Sequence, residues 1–293
     1  QGDKVVKRYL DARKGDADRA GFGKGNQFRL NLFHSNVQTM MDMLYSNLPK
    51  IEASRTHADS SDDVARVAAN MIERLINTDI ADHPKDYDSV LRSCLQDRLL
   101  PGLGVARVRY DYREEQVEVP AQMDQMGQVI AAAYMQTRIT DEKAPVDYYH
   151  WQDVRWGWAR MFSEVPWIGF RSYLSKDEVV DRFGKQFKDE VEYKKQRVDD
   201  AKDGETDPIS DSPWQKAEIW EIWDENLKQV VWWSPGCSKL LDRKKDPLQL
   251  TNFYPCPEFL IANQTTSLYR PVSDYHLSQD LYNEVDVLQT RIA

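Results

Sequence analysis

Tryptophan is the residue type whose placement points most directly to binding. All nine tryptophans lie between Trp151 and Trp233. Indole rings at this density are typical of sugar-binding platforms and of surfaces that stack single-stranded nucleic acid. Several of them alternate along predicted strands, and alternation places side chains on sheet faces that pack against a core or a neighbour. The pattern favours a core or a subunit interface over a ligand platform, and the candidate interface residues are Trp156, Trp158, Trp220, Trp223 and Trp232.

Motifs for catalysis and metal binding are not found in the sequence. The five histidines and three cysteines show no metal-ligand spacing, and no Gly-x-Ser-x-Gly nucleophile motif occurs. Lys24 follows glycines but precedes Gly25, whereas a phosphate-binding loop requires Ser or Thr after the lysine. With 48 carboxylates, some pairing of acidic residues is expected by chance. We therefore predict no catalytic residues, no metal site and no cofactor.

Composition excludes several classes of protein. Hydrophobic residues make up 41% of the 293 residues, which is too many for a disordered chain. A net charge of −9 argues against a tight nucleic-acid binder but not against a protein that lets DNA pass. The sequence contains no apolar run long enough to span a membrane and no secretory signal pattern. An odd number of cysteines makes a disulfide scaffold improbable and favours a reducing compartment.

The amino-terminal part predicts an arm followed by helices. Residues 1–27 are charged and contain glycines, so we expect a flexible arm. Apolar residues at helical spacing predict helices over 28–48 and 85–99. A helix between these two carries its apolar side chains on one face. The residues of that face are Val64, Val67, Ala68, Met71, Leu75 and Ile76. Residues 50–54 are predicted to form a short strand.

The rest of the chain predicts mainly strands. Alternation indicates strands at 105–112, 116–119, 138–140 and 146–151, with a helical insertion at 121–136. Residues 217–223 and 229–233 predict a β-hairpin, and Ser175 with Glu178 predicts a capped helix. The expected fold is α+β, with N-terminal helices packed on a mixed or antiparallel sheet.

An amphipathic helix is predicted to begin at Asp274. Its apolar positions are Leu277, Leu281, Val285, Leu288 and Ile292, with acidic residues between them. The predicted organisation is thus an arm at 1–27, a mixed domain at 28–273 and a helix starting at 274. The chain begins with Gln1 and ends inside this helix, so we expect it to be part of a longer protein.

An ordered set of segments resembles the portal proteins of tailed double-stranded DNA bacteriophages, most closely those of short-tailed phages. Portal proteins are the connectors between head and tail. No single segment carries the resemblance; it depends on their order over residues 30 to 293. The segments are 34–50 (HSNVQTMMDMLYSNLPK), 147–156 (DYYHWQDVRW), 165–171 (VPWIGFR), 175–184 (SKDEVVDRFG), 217–233, 254–257 (YPCP) and the helix from Asp274.

The resemblance implies a non-enzymatic subunit of a ring, usually of twelve copies, at one vertex of the capsid. Double-stranded DNA passes through its channel during packaging and ejection, without sequence-specific binding. The implied partners are other copies, terminase, capsid or scaffold protein and a tail adaptor, and the implied location is the virion after assembly in the host cytoplasm. Residues 28–273 would form the portal wing, and the helix from Asp274 would begin the long stem helix.

Two surfaces are expected to serve this function. Acidic residues between the apolar positions of the last helix could line the channel and repel phosphates, and these are Asp280, Glu284 and Asp286. The same residues could instead simply face solvent. A ring also requires two different contact patches on each subunit. The tryptophan-bearing sheet is the candidate for one patch, so changes at Trp220 and Trp223 are predicted to impair assembly.

Two alternative functions remain open at the level of sequence. The tryptophans and carboxylates would also suit a carbohydrate-binding or carbohydrate-active protein. The resemblance would extend to another structural protein of the virion, such as a tail adaptor.

Overall fold

The computed structural model describes residues 1–10, 31–55, 62–82, 84–119, 122–123, 129–131, 134–195 and 215–292. Within these residues the chain has an α+β fold that ends in a helix. The helices are α1 (Gly2–Tyr9), α2 (Leu32–Leu44), α3 (Asp63–Asp82), α4 (Pro84–Leu99), α5 (Lys176–Phe183) and α6 (Asp274–Ile292). Short 3₁₀ helices occur at Trp151–Asp153, Phe162–Glu164 and Lys185–Phe187.

Every described strand pair is antiparallel. The strands are β1 (Leu103–Val108), β2 (Asp111–Val119), β3 (Gln122–Met123), β4 (Val129–Ala131), β5 (Tyr134–Lys143), β6 (Val146–Tyr149), β7 (Val154–Trp156), β8 (Trp167–Leu174), β9 (Tyr193–Lys195), β10 (Gln215–Asp224), β11 (Gln229–Trp233), β12 (Asp242–Lys245) and β13 (Leu260–Ile261). The larger sheet has the order β12-β11-β10-β8-β7, with β9 also paired to β10. The smaller sheet is β13-β1-β6, and two pairs, β2-β5 and β3-β4, stand outside both sheets.

The hairpin β10-β11 forms the centre of the larger sheet, as its alternating sequence predicts. Ala217, Ile219, Glu221 and Trp223 are buried, and the residues that alternate with them along the strand are only half-buried. The tight turn uses Lys228 at a positive φ of 46°, so the strands reverse within a few residues. Helix α5 begins at the predicted capping box of Ser175 and Glu178 and packs on β10.

Helix α4 lies directly on β1 of the smaller sheet because β1 carries a glycine at the contact. A Cβ atom built on Gly104 would lie 2.1 Å from the backbone carbonyl oxygen of Cys94. The Cys94 thiol also donates to the carbonyl oxygen of Val105 at 3.3 Å. The absence of a side chain at Gly104 therefore sets how closely the helix approaches the strand.

We expect Gly104→Ala to lower the free energy of unfolding by about 1–3 kcal/mol, because the new methyl group must push α4 away from β1. Urea unfolding of both proteins measures this difference. Gly169→Ala in β8 is the matched control, since its Cβ would lie 3.4 Å from the Trp220 ring, an ordinary contact. Equal effects of the two substitutions would contradict the proposed close contact.

A second core joins the two ends of the chain. Val5 and Tyr9 of α1 are buried against Phe33 and Val37 of α2. Residues 2–9 are therefore not part of a flexible arm, which corrects the prediction made from charge and glycine content. The spacing of Val5 and Tyr9, four residues apart, places both on one helix face and could have indicated this. The remainder of the predicted arm, 11–27, lies outside the described residues.

Two further predictions of local structure are wrong. The described parts of the expected insertion helix at 121–136 are strands, because they continue the antiparallel pairing of β2 with β5. Residues 50–54 are extended but belong to no strand. Their polar partners are side chains of α3: the Asn77 amide bonds both the N–H and the carbonyl of Ile51. These bonds replace the pairing that a sheet would supply.

Candidate interaction surfaces

Two of the predicted interface tryptophans belong to the interior of the chain. Trp223 is 2% exposed and Trp232 is 6% exposed, and both lie in the main core. The prediction that they form a subunit contact is therefore corrected. Alternation along a strand shows which residues share a face, but it does not show which face this chain covers with its own loops and helices.

Both buried indoles bind the same carboxylate. Glu221 accepts hydrogen bonds from Trp223 Nε1 at 2.7 Å and from Trp232 Nε1 at 3.2 Å. Arg107 of β1 forms an ion pair with it at 2.6 Å, and Arg182 of α5 lies at 3.5 Å. Glu221 is thus the point where the two sheets and a helix are joined. The charge is compensated inside the fold, which assigns it a structural role.

The electrostatics of Arg107 follow from this pairing. Burial, the largest single influence, lowers the pKa of Arg107, but the charge attraction and hydrogen bonds of Glu221 and Tyr149 together outweigh it and raise the pKa. Its planar group lies 5.1 Å from the centre of the Phe170 ring and 5.9 Å from that of Tyr149. Arg107 therefore remains charged and fixed between the sheets.

The other three candidate tryptophans lie at or near the surface. Trp220 is half-buried and donates to Glu218 at 2.7 Å. Trp156 is half-buried and donates to the carbonyl oxygen of Tyr269 at 3.1 Å. Trp158 is 69% exposed, with Arg160 over its ring at 5.9 Å. Trp158 is consequently the candidate with the most surface available to a partner.

Trp156 and Trp158 line one cleft, which we call the Trp158 cleft. Its volume is about 530 Å³, and it lies between β7, the amino terminus and the segment 268–273. Trp151 also lines it, as do the exposed residues Arg155 and Arg270. An apolar cleft bordered by guanidinium groups can accept a partner that combines carboxylates with apolar side chains.

Helix α6 does not bury the apolar row that its sequence predicts. Leu277 and Leu281 are each 67% exposed, and Leu288 is also exposed. The face that packs on the chain contains Tyr275 and Tyr282, whose rings contact Phe33. The predicted helix is confirmed, and ring contacts with Phe33 of α2 place the tyrosine side inward.

The three acidic residues predicted to line a channel do not share one environment. Asp280 and Glu284 are exposed on α6. Asp286 instead forms an ion pair with Arg8 of α1 at 2.9 Å. Only Asp280 and Glu284 are free of such an ion pair to α1. Asp286 is therefore corrected from a channel-lining candidate to a residue that fastens α1 to α6.

Helix α3 exposes the apolar face that its sequence pattern defines. No described residue of this helix is buried, and Val64, Met71 and Leu75 are strongly exposed. The helix contacts the chain through its other side, where Glu73 accepts from the N–H of Ala53 at 3.3 Å. The periodicity correctly predicts the helix, but periodicity does not identify what covers its apolar face.

The pair β2-β5 forms a ribbon with both faces in solvent, which we call the ribbon. Its register places Glu114 opposite Ile139 and Glu118 opposite Met135. Opposed residues of an antiparallel pair lie on the same face, so two carboxylates and two apolar side chains share one face. The sequence pattern does not reveal this surface, because it predicts short separate strands with a helix between them where the structure has one continuous strand pair.

Asp97 is a buried carboxyl that joins α4 to the smaller sheet. It accepts from the Tyr148 hydroxyl at 2.5 Å and from the N–H of Trp151 at 3.3 Å. Burial raises the pKa of Asp97, although the hydrogen bond from Tyr148 opposes that rise. The folded state therefore favours the protonated form more than the unfolded state does.

We expect the free energy of unfolding of Asp97→Asn, relative to that of the native chain, to increase as pH rises. A carboxyl with a raised folded pKa contributes stability at low pH that is lost as pH rises through that pKa, whereas asparagine cannot ionise. Its amide oxygen can still accept from Tyr148. Urea unfolding of both chains between about pH 4 and pH 7 measures the free energy of unfolding of the variant minus that of the native chain. If this value falls as pH rises, the raised pKa assigned to Asp97 is contradicted.

The described residues offer few reactive groups. They contain no group of three or more His, Cys, Asp or Glu residues that could hold a metal ion. The thiols of Cys94, Cys237 and Cys256 are buried and unpaired. Burial raises the pKa of Cys94 to about 11 and that of Cys256 to about 12, which disfavours the nucleophilic thiolate.

Comparison with other proteins adds no assignment to these surfaces. No protein-family model and no curated protein sequence matches this chain. Among the described helices, none combines the length and apolar character needed to cross a membrane. The surfaces therefore have to be interpreted from their own chemistry: an apolar helix face, a basic aromatic cleft and an acidic apolar ribbon.

Proposed function

We propose that this chain is the wing-containing part of a bacteriophage portal subunit. In that role it is a non-enzymatic structural protein of the virion, at the capsid vertex through which double-stranded DNA enters and leaves. The ordered resemblance over residues 30 to 293 suggests the family. The observation that carries the proposal is that, within the part of the chain that the structure describes, long apolar helix faces remain exposed on both α3 and α6.

Uncovered helix faces are what a ring subunit requires. On α3 the exposed row runs from Val64 to Ile76, and on α6 it runs from Leu277 to Leu288. Exposed apolar surface of this extent is typical of protein–protein contacts. Two distinct patches on one chain support heterologous contacts, which close into a ring when the rotation between copies allows it.

The two sides of α6 suit the start of a stem helix. Its tyrosines hold one side against α2, and its other side presents the exposed leucines together with Asp280 and Glu284. Exposed carboxylates facing a channel would repel DNA phosphates and allow the duplex to slide. Terminase, scaffold or capsid protein and a tail adaptor are the partners that this function would require.

The carbohydrate-binding alternative has less to support it than the sequence alone suggests. Trp223 and Trp232 bind Glu221 inside the core, so they cannot stack on a sugar ring. Among the described tryptophans, Trp158 has the most exposed indole, at 69% against 37% for both Trp167 and Trp233, so it is the first ring that such a protein would use. A tail adaptor would share the exposed helix faces, so assembly behaviour is the property that separates it from a portal.

Imaging of the complete gene product by negative-stain electron microscopy, with its mass from light scattering, tests the proposal. We expect closed rings with a central opening wide enough for a DNA duplex. Rings that form only on a preassembled connector would favour the tail adaptor. A monomer that binds polysaccharide, with binding lost in Trp158→Ala, would favour the carbohydrate alternative.

A further inference from the structure

The ribbon carries a face that has no partner within the described chain. Glu114 and Glu118 are exposed, and they lie beside Ile139, 48% exposed, and Met135, 59% exposed. Neither carboxylate forms an ion pair with another described residue. On the opposite face the register places Glu115 opposite Arg138, so charges of both signs lie there. The face of Glu114 and Glu118 instead carries only negative charge beside its apolar side chains.

A ribbon of two strands needs further contacts. An isolated pair of strands is marginally stable in water, and stability usually comes from a third strand or from packing on another surface. Within the described residues, β2 and β5 pair only with each other. The charge of the ribbon strands also limits the possible partners. Strand β2 has four carboxylates and one arginine, and the charges of β5 balance, so the two strands together carry −3.

The Trp158 cleft has the complementary chemistry. Arg155 and Arg270 line it and are exposed, and the exposed Arg160 lies over the ring of Trp158, in a chain whose net charge is −9. None of the three guanidinium groups forms an ion pair with a described residue, whereas most other arginines in the described chain do. The exposed indole of Trp158 supplies the apolar surface between these charges. The cleft thus combines uncompensated positive charge with an aromatic surface.

The cleft and the ribbon begin at opposite ends of one strand. Leu103, the first residue of β1, lines the cleft. Val108, its last residue, is followed by the ribbon at Asp111. At about 3.3 Å per residue, the two surfaces start some 15–20 Å apart on a rigid element. Two different, complementary surfaces on one chain can generate head-to-tail contacts between copies.

We propose that the ribbon face formed by Glu114, Glu118, Met135 and Ile139 docks into the Trp158 cleft of a second copy of this chain. This inference rests on the proposed function, because it specifies one contact between neighbouring subunits of the ring. Glu114 and Glu118 pair with the arginines at the rim of the cleft. Met135 and Ile139 cover the Trp158 indole, which is exposed in a single copy.

Charge exchange between two variants tests this contact. The ribbon variant carries Glu114→Lys and Glu118→Lys, and the cleft variant carries Arg155→Glu and Arg270→Glu. Each variant alone brings like charges together, so its self-association, measured by sedimentation velocity, should weaken at least about tenfold. An equimolar mixture should recover association, because the lysine ribbon meets the glutamate cleft and the native ribbon meets the native cleft.

Matched controls identify the surface that is used. Glu115→Lys alters the same strand on the opposite face and should leave association within about twofold of the native chain. Circular dichroism of each variant confirms that it is folded, which is expected since all altered side chains are exposed. A helix variant, Met71→Lys with Leu75→Lys, tests the competing contact through α3.

Several results would overturn the inference. The first is a native chain that stays monomeric up to about 100 µM, about a hundredfold above a dissociation constant of about 1 µM. The others are a mixture that fails to recover association and loss of association in the α3 variant alone. The outcome is separable from that of the proposed function. Closed rings of the complete gene product without rescue in the mixture would retain the portal proposal and reject this contact. Rescue that yields only open filaments would retain the contact and reject the portal.

Discussion

Replacing Glu221 by glutamine is expected to lower the free energy of unfolding by about 3–5 kcal/mol, the cost of removing one partner of a buried ion pair. The side chains of Glu221 and Arg107 are 8% and 12% exposed, so water cannot replace the lost charge. Glutamine can accept from one or both indoles, but it leaves the Arg107 guanidinium uncompensated between the sheets. Chemical denaturation monitored by tryptophan fluorescence measures the change.

The same strand provides a closely matched control. Glu218 also accepts from an indole two residues further along, that of Trp220, and lies 3.6 Å from Arg171. Its side chain is 31% exposed, so Glu218→Gln should cost less than about 1 kcal/mol. If Glu218→Gln cost as much as Glu221→Gln, burial of the charge would not be the cause.

A double substitution separates charge from packing. Glu221→Leu with Arg107→Met removes both charges and retains much of the side-chain volume. This double variant should therefore be more stable than Glu221→Leu alone. Recovery of stability in the double variant would show that the cost of the single change comes from the uncompensated arginine. A strictly additive result would instead assign the cost to packing around the indoles.

Replacing Phe33 by alanine is expected to cost about 3–5 kcal/mol and to release both ends of the chain from the second core. The Phe33 ring lies 4.8 Å from the Tyr275 ring and 5.3 Å from that of Tyr282, both in α6. It also meets Tyr9 of α1 edge-on at 6.3 Å. One side chain of α2 therefore holds two helices that are distant in sequence.

Hydrogen exchange shows which elements lose stability in Phe33→Ala, in addition to how much stability is lost. Amides of α1 and α6 should lose protection in Phe33→Ala, while those of β8 and β10 should retain it, because the main core is a separate cluster. Met43→Ala, in the same helix but exposed, is the control and should be within about 0.5 kcal/mol of the native chain. Uniform loss of protection in both clusters would contradict their separation.

Much of the local structure is predictable from the sequence because its causes are local. Periodicity predicts α3, α4 and α6, and alternation predicts the hairpin β10-β11. The Ser175 cap depends on a residue three positions away, so its signal is complete within a few residues. The wrong predictions occur where the interaction partner is distant in sequence. The backbone carbonyl of Ile51 accepts a hydrogen bond from the Asn77 side chain and not from a neighbouring strand, and the ribbon forms only because β5 pairs with β2.

The interaction surfaces show the same division. The sequence by itself determined which elements are amphipathic, that the chain is acidic, and that its indoles fall in one region. Only the tertiary structure decided that Trp223 and Trp232 are internal, that the leucines of α6 face outward, and that an acidic ribbon and a basic cleft lie at opposite ends of β1. The reason is physical: an apolar face lowers the free energy equally well against its own chain or against a second one, and spacing along the sequence does not distinguish the two.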